Sequence, residues 1–371
     1  MSQKRRKGML MKLTMLLEGK SRILIVSILI TLAGALILFY PRPLSTLKQR
    51  FISKKRFYEC PLAPKEPQDR RKSMNKLTIT TFNAQWLFIK GGKGGILHCP
   101  SSQCPWHDKK MAREHLEKIA LRLSKLDSDI INLQEVEDCE TLEELRASMP
   151  NGHEYRAFMK YGGDTALGQN VALLTRVDPY LDLKRSEKHV NVPLENSHCP
   201  DLKRIGKKAI SAKHYYTQFK IPGLEKPLML VGLHFLARPL DKRRCAGREG
   251  QAQVVTDLLQ EHDGYVIIAG DFNDYDARVE RVRNGRLPIS GVLEMFYKSR
   301  NLTNSILLSD SMPLEWFTMQ TTLGKRKKKT LIDHILISSE LRDKVEEVVI
   351  DKDFLGISDH FPIKMTLNLS T

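Results

Sequence analysis

Cysteine is missing from the first 59 residues of this 371-residue chain, and six follow from Cys60 onward. Cys60, Cys99, Cys104, Cys139, Cys199 and Cys245 form an even set on one side of the chain, which suits an oxidising compartment. Net charge is scarce over most of the length. Residues 1–75 hold 17 Lys and Arg against 4 Asp and Glu, whereas residues 76–371 hold 43 against 39. The overall charge of +17 therefore belongs mainly to the N-terminal arm, and basicity alone does not make the remainder a nucleic-acid binder. No internal repeat is present, which excludes a solenoid. The glycine-rich stretch Lys90 to Gly95 lacks a following Gly-Lys-Ser/Thr, which excludes a phosphate-cradling P-loop. His98, Cys99, Cys104 and His107 match no strong zinc spacing, and read more simply as a Cys99–Cys104 disulfide or unrelated cysteines.

Charge is wholly absent from Ile23 to Tyr40, an 18-residue apolar run. A bilayer span needs about 20 residues, and about 17 suffice. The run ends in Leu-Phe-Tyr-Pro-Arg-Pro, a poor cleavage site, so it reads as a signal anchor rather than a removed leader. The expected organisation is a basic head (1–22), one transmembrane helix (23–40), a basic Pro-rich linker (41–75) and a catalytic domain (76–371). A slight basic excess before the run, with the cysteines after it, places the domain outside the cytoplasm, in a single-pass membrane protein. No protein partner is evident.

What is present is a series of polar residues at the ends of apolar strands. Tyr265 to Ala269 is a β-branched run followed by Gly270-Asp271-Phe272-Asn273. Side chains at i and i+2 of an extended chain share a face, so Asp271 and Asn273 can converge on one group. Leu77 to Phe82 leads into Asn83, Asp129 to Leu133 into Glu135, and Leu228 to Leu233 into His234. Asp333-His334 opens a strand, and Asp359-His360 follows Ile357-Ser358. Loops at strand ends carry sites on a rigid scaffold. Lys109 to Leu126 is amphipathic with helical spacing, and Arg248 to Glu261 and Gly291 to Arg300 read as further helices. Strands alternating with helices give an α/β class.

Taken together, Asn83, Glu135, His234, Asp271, Asn273, Asp333, Asp359 and His360 resemble the motif set of the endonuclease/exonuclease/phosphatase superfamily, over about residues 77 to 367. That family includes pancreatic-type deoxyribonuclease, abasic-site endonuclease, neutral sphingomyelinases and inositol polyphosphate 5-phosphatases. The resemblance implies a four-layer sandwich of two mixed β-sheets flanked by helices. It implies phosphodiester hydrolysis with Mg²⁺, or Mn²⁺ or Ca²⁺ in its place, on a nucleic acid, leaving a 5′-phosphate. A lipid phosphodiesterase or phosphoinositide phosphatase is the alternative, and a non-catalytic binding protein on this fold a second.

Each residue type suits this chemistry. Glu135 and Asp359 are the expected metal carboxylates. Asp271 can orient or deprotonate water. Asn273 and Asn83 carry amide donors for a developing oxyanion. His234 and His360 can donate to phosphoryl oxygens or act as bases, with Asp333 orienting His360. His334 falls on the other side of its strand and is expected to be structural. Lys325, Arg326, Lys327, Lys328 and Lys329, with Arg248, are the expected contacts to a polyanionic substrate. Glu137, Asp138 and Glu140 are expected on a loop surface.

Overall fold

A computed structural model describes residues 60–89, 105–106, 108–162, 167–200, 206, 208–323 and 326–370. The basic head, the apolar run Ile23 to Tyr40, the Cys99 and Cys104 pair and Lys325 lie outside them. No helix among the described residues is long and apolar enough to cross a membrane.

In chain order the elements are β1 (Lys76–Leu87), α1 (Lys109–Leu126), β2 (Ile130–Val136), α2 (Cys139–Ser148), β3 (Arg156–Met159) and β4 (Asn170–Thr175). Then come β5 (Val190–Val192), β6 (Lys208–Ile210), β7 (His214–Phe219), β8 (Leu228–His234), α3 (Lys242–Leu259) and β9 (Tyr265–Asp271). The chain ends with α4 (Ala277–Arg283), α5 (Val292–Arg300), β10 (Leu302–Asn304), β11 (Met319–Leu323), β12 (Arg326–Thr330), β13 (Asp333–Ser338), β14 (Val345–Ile350) and β15 (Ile363–Asn368). One sheet runs β14-β15-β1-β2-β4-β3, the other β10-β13-β9-β8-β7. Each is mixed, because β1 and β2 are parallel, as are β8 and β9, while their other neighbours are antiparallel.

Strand alternation sorts the core into layers. Leu77, Ile79, Ile130, Leu228, Leu230, Ile267, Ile335 and Ile337 meet between the sheets. Phe82, Ile131 and Leu133 point the other way, onto Ala112, Leu116, Ile119 and Leu123 of α1 and Leu142 and Leu145 of α2. Val231, Leu233, Val266 and Ile268 face Val254, Val255 and Leu259 of α3 and Phe296 of α5. This is the expected four-layer sandwich. Helix α1 occupies the span read from its periodicity, with Asp108 accepting from Met111 N as N-cap at 2.8 Å.

The inter-sheet faces change character along the strands. Apolar residues fill one end. Next come Thr81, Asn132, Gln134, Gly232 and Ala269, and then Asn83, His234, Asp271 and Asp333. The amide of Asn132 spans the gap, donating to Thr81 Oγ1 at 3.1 Å and to Ala269 O of the opposite sheet at 2.9 Å. Only glycine fits at 232, since a Cβ there would lie 2.2 Å from Asn132 Oδ1.

Two expectations on organisation need correction. The linker does not run to residue 75. Arg70 donates to both carboxylate oxygens of Asp178, at 3.1 and 2.5 Å, and to Glu154 O at 3.1 Å. Arg71 donates to Lys76 O at 2.8 Å, and Cys60 is disulfide-bonded to Cys139. The Pro-rich composition hid a segment held by charged side chains rather than by an apolar stripe. Glu137 and Asp138 are not loop surface either. Asp138 caps α2 by accepting from Thr141 N at 2.8 Å, and the buried Glu137 accepts from Ile89 N at 2.8 Å.

Candidate active site

The eight motif residues meet at the polar end of the sandwich. Strand register does most of the positioning, because Asp271 lies opposite both His234 on β8 and Asp333 on β13. Gly270 permits the close approach of β8, since a Cβ would stand 2.0 Å from Leu233 O. Asn83 Nδ2 donates to Asp271 Oδ2 at 3.0 Å and Glu135 Oε1 at 3.3 Å, joining the sheets. His234 Nε2 stands 3.6 Å from Asp271 Oδ2 and 3.9 Å from Glu135 Oε1. His360 Nδ1 bonds Asp333 Oδ2 at 2.8 Å, and its Nε2 lies 4.0 Å from Asp271 Oδ2. Asp271 Oδ2 is thus ringed by Asn83, His234 and His360.

Electrostatics separate the two histidines. Burial, then Lys213 and His360, hold His234 well below its ordinary value, so it is neutral. Burial also penalises charged His360, but Asp333, then Asp359 and Asp271, outweigh it and keep the imidazolium to well above the ordinary value. Burial, with the charge of Asp333, raises Asp271 to about 8. Burial raises Glu135 too, against the opposing Trp86 N–H, while Asp359 raises it further. The two imidazoles are therefore driven into different protonation states while both carboxyls are raised, a pattern that acid–base sites share.

Asn83 and Asn273 have less donor capacity to spare than their residue type implied. Both amide hydrogens of Asn83 reach carboxylates, so it holds Glu135 and Asp271 in place. Asn273, at φ 49°, donates its backbone N–H to Asp271 Oδ1 at 2.8 Å and its side chain to Phe235 O at 3.1 Å. Glu135, at φ 64°, accepts from Trp86 N at 2.8 Å. His334 is structural, as expected, with Nε2 against Asp274 O at 2.9 Å and Nδ1 against Asn304 Nδ2 at 3.0 Å.

Three supporting residues escaped the sequence reading. Ser358 Oγ donates to Asn83 O at 2.9 Å and accepts from His360 N at 3.0 Å. Thr318 Oγ1 accepts from Asp333 N at 3.1 Å. Gln85 Oε1 accepts from Asp359 N at 3.1 Å. The signal that marks Ser358 is its place directly before the Asp359-His360 pair; Thr318 has no sequence signal.

Arg248 must be reassigned. It is fully buried, donating from Nε to Asp274 Oδ2 at 3.0 Å and from its terminal nitrogens to Arg238 O at 3.0 Å and Pro239 O at 2.6 Å. A guanidinium so enclosed cannot meet a substrate. Arg248→Met is expected to cost about 3–5 kcal/mol, by leaving the Asp274 carboxylate buried without its cation. Urea denaturation checks this, with part of the loss recovered in Arg248→Met/Asp274→Asn; an unchanged midpoint with weakened substrate affinity would restore the substrate role.

Of the basic run, Arg326 to Lys329 lie on β12, which pairs with β11 as a hairpin. Its base adjoins the site, because Gln320 N donates to Asp359 O at 2.9 Å and Met319 bridges to His360. Lys327, Lys328 and Lys329 are exposed. Tyr161 takes a bond from Cys139 N at 3.4 Å, Asn170 donates to Glu137 O at 2.8 Å, and Trp316 is buried in the inter-sheet core.

A family model described as the endonuclease/exonuclease/phosphatase family matches residues 81–360. The chain belongs to this family. No curated protein matches it by sequence. Among solved structures it is similar to a family protein from Leptotrichia buccalis, at 15% identity and TM-score 0.49, covering 78% of this chain and 98% of that one. A family protein from Bacteroides vulgatus is 18% identical with TM-score 0.49, over 80% and 99% of the two chains. TDP2 from Caenorhabditis elegans is 17% identical with TM-score 0.46, over 79% and 74%.

Members of this family generally hydrolyse phosphodiester bonds with a divalent cation, and the residues present fit such an ion. Glu135, Asp271, Asp333 and Asp359 are hard oxygen donors, and no Lys or Arg among the described residues pairs with Glu135, Asp271 or Asp333. Glu135 and Asp359 are near enough for the charge of Asp359 to raise Glu135, and Asp333 Oδ1 is buried without a hydrogen-bond partner; the neighbouring cluster of Asp271, Asp333 and His360 offers only its carboxylates, because His360 is held charged. A bound divalent cation would balance this negative charge and stabilise the phosphoryl oxygens. The cluster of Cys199, Cys245 and Glu249 is different, because its two sulfurs form a disulfide.

Proposed function

We propose that the protein is a membrane-anchored, divalent-metal-dependent nuclease. It cleaves DNA or RNA phosphodiesters and leaves a 5′-phosphate. The observation that carries the reading is the ring of Asn83, His234 and His360 around Asp271 Oδ2, with Asp333 behind His360. Asp271 accepts the proton of the attacking water. His360, held charged, meets the negative charge that develops on the phosphoryl oxygens. Neutral His234 orients the water beside Asp271. Glu135 and Asp359 are the metal carboxylates, and Mg²⁺ suits the all-oxygen set, with Mn²⁺ or Ca²⁺ as substitutes. Lys327 to Lys329 extend from the hairpin to draw in a polyanion.

Residues 23–40 anchor the chain, and the catalytic domain lies outside the cytoplasm. Two disulfides among the described residues, Cys60–Cys139 and Cys199–Cys245, support that side.

The test incubates the purified full chain with supercoiled plasmid, RNA, sphingomyelin vesicles and phosphoinositides, each with Mg²⁺ or EDTA. Metal-dependent nicking with inert lipids is the expected result. Headgroup release with intact plasmid would replace the nuclease by a lipid phosphodiesterase. No turnover on any of them would leave a binding protein. Glu135→Gln is expected to raise the half-saturating Mg²⁺ concentration about 10- to 100-fold while Asp271 chemistry persists at saturation. An unmoved metal titration would take Glu135 out of the ligand set.

A further inference from the structure

Large exposed apolar side chains occur singly over most of the surface, as on any protein. Four lie on two segments between β9 and the β11–β12 hairpin: Leu314 at 79% exposure, Met312 at 66%, Val282 at 55% and Leu287 at 52%. Val282 lies on α4, and Leu287 on the loop after it. Met312 and Leu314 flank the turn Pro313–Glu315, which packs against α4. The chain then runs directly into the β11–β12 hairpin.

The exposure is built in. Buried Glu280 pairs with Arg283 and its carbonyl accepts from Gly285 N at 2.8 Å, while Asn284 caps α4 in the left-handed region. A Cβ on Gly285 would stand 1.7 Å from Glu280 Oε2. The loop is thus held with Val282 and Leu287 outward.

Arg281, Arg286, Lys327 and Lys328 are exposed on the same elements. Their side chains make no hydrogen bond or ion pair among the described residues. Acids bordering this face are fewer: Asp310, Glu315 and Glu347, with Glu294 beside Arg281 already paired to Lys298. A nucleic-acid backbone would use the four cations but leave Leu314 and Met312 in water. An anionic bilayer takes both, with basic groups on headgroups and apolar side chains at the acyl boundary.

We propose that this face docks the catalytic domain on an anionic lipid surface, with Met312 and Leu314 inserted. Helix α4 starts four residues after Asn273, and the hairpin base touches Asp359 and His360, so docking brings the mouth of the site to the bilayer. The inference moves Lys327 and Lys328 from polyanion capture to lipid headgroups and otherwise does not depend on which phosphodiester is cleaved.

The test places the full chain in nanodiscs of phosphatidylcholine with or without phosphatidylserine, each in ordinary and brominated form. Leu314→Trp serves as reporter against the parent chain, whose own tryptophans give the background. The expected result is at least about twofold stronger quenching of the reporter by brominated lipid in anionic discs. The added Lys327→Gln/Lys328→Gln pair should reduce that quenching. Met312→Asp/Leu314→Asp should leave hydrolysis of a small soluble phosphodiester unchanged, showing an intact fold. Equal emission in brominated and ordinary discs overturns the proposal. So does shielding of the reporter by duplex DNA but not by lipid, which would make the face a nucleic-acid contact. If the chain fails to enter discs at all, the anchor reading falls. Flotation of the detergent-free chain with phosphatidylserine vesicles then decides the surface, and failure to float overturns it.

Discussion

Asp271→Asn is expected to lower kcat by about 10³-fold or more while the protein stays folded. The substitution keeps volume and lets Asn273 N donate as before, but it puts an amide nitrogen or an uncharged oxygen where Asn83 and two imidazoles converge. Neither can take a proton from water. Single-turnover measurements at saturating metal check this, and a kcat within tenfold of the parent would remove Asp271 from the chemistry. Stability should move the other way in metal-free protein. A carboxyl raised to about 8 in the fold, from its ordinary value of 3.8, binds more protons folded than unfolded between those limits. Its contribution therefore falls as pH rises through that window. The asparagine variant escapes this loss, so its Tm advantage should be nil near pH 4, grow with pH and level off above pH 8. A Tm difference independent of pH would contradict the burial argument.

Asp333→Asn is expected to cost about 10²- to 10⁴-fold in kcat/KM, although Asp333 need not touch substrate. The carboxylate holds His360 by a 2.8 Å bond, which sets the ring and favours its charged form. Without that charge, burial dominates, and the imidazolium is lost at lower pH. Residual activity should then fall off at lower pH than in the parent. The stability that the charged pair contributes is fully present below the unfolded histidine pKa and lost as pH rises through the raised folded value. In the variant this loss should move to lower pH too. His360→Gln alone should cost about as much as the double variant, because the pair acts as a unit. A pH profile that does not move on Asp333→Asn would reduce the residue to packing.

Most of the site was legible because strand ends are local. Apolar runs ending in Asn83, Glu135, His234 and Asp271 specify both the strand and the face, and parallel and antiparallel register then brings them together. What escaped notice depends on partners far along the chain. Arg248 reads as a surface cation until Asp274 closes on it from 26 residues away. Arg70 and Arg71 sit in a Pro-rich stretch whose composition suggests a tether, yet Asp178 and Lys76 fasten them. Thr318 supports Asp333 through one hydroxyl, and no periodicity marks it. Helix α3 begins six residues earlier than its apolar pattern indicates, because Asp241 caps a first turn of charged residues. Residues 139–148 form a helix whose acidic start masked it.

The amide of Asn132 bridging the two sheets makes the interior a gauge block between two jaws. Glu135 and Asn83 belong to one jaw, His234, Asp271 and Asp333 to the other, and the distances among them are whatever the filling behind them allows. A bulkier side chain at Leu230 or Ile267 would act as a wedge near the pivot and spread the tips. Alignment of the proposed catalytic groups is then a property of the core volume, and a substitution deep in the sandwich is expected to slow the reaction without meeting a reacting atom.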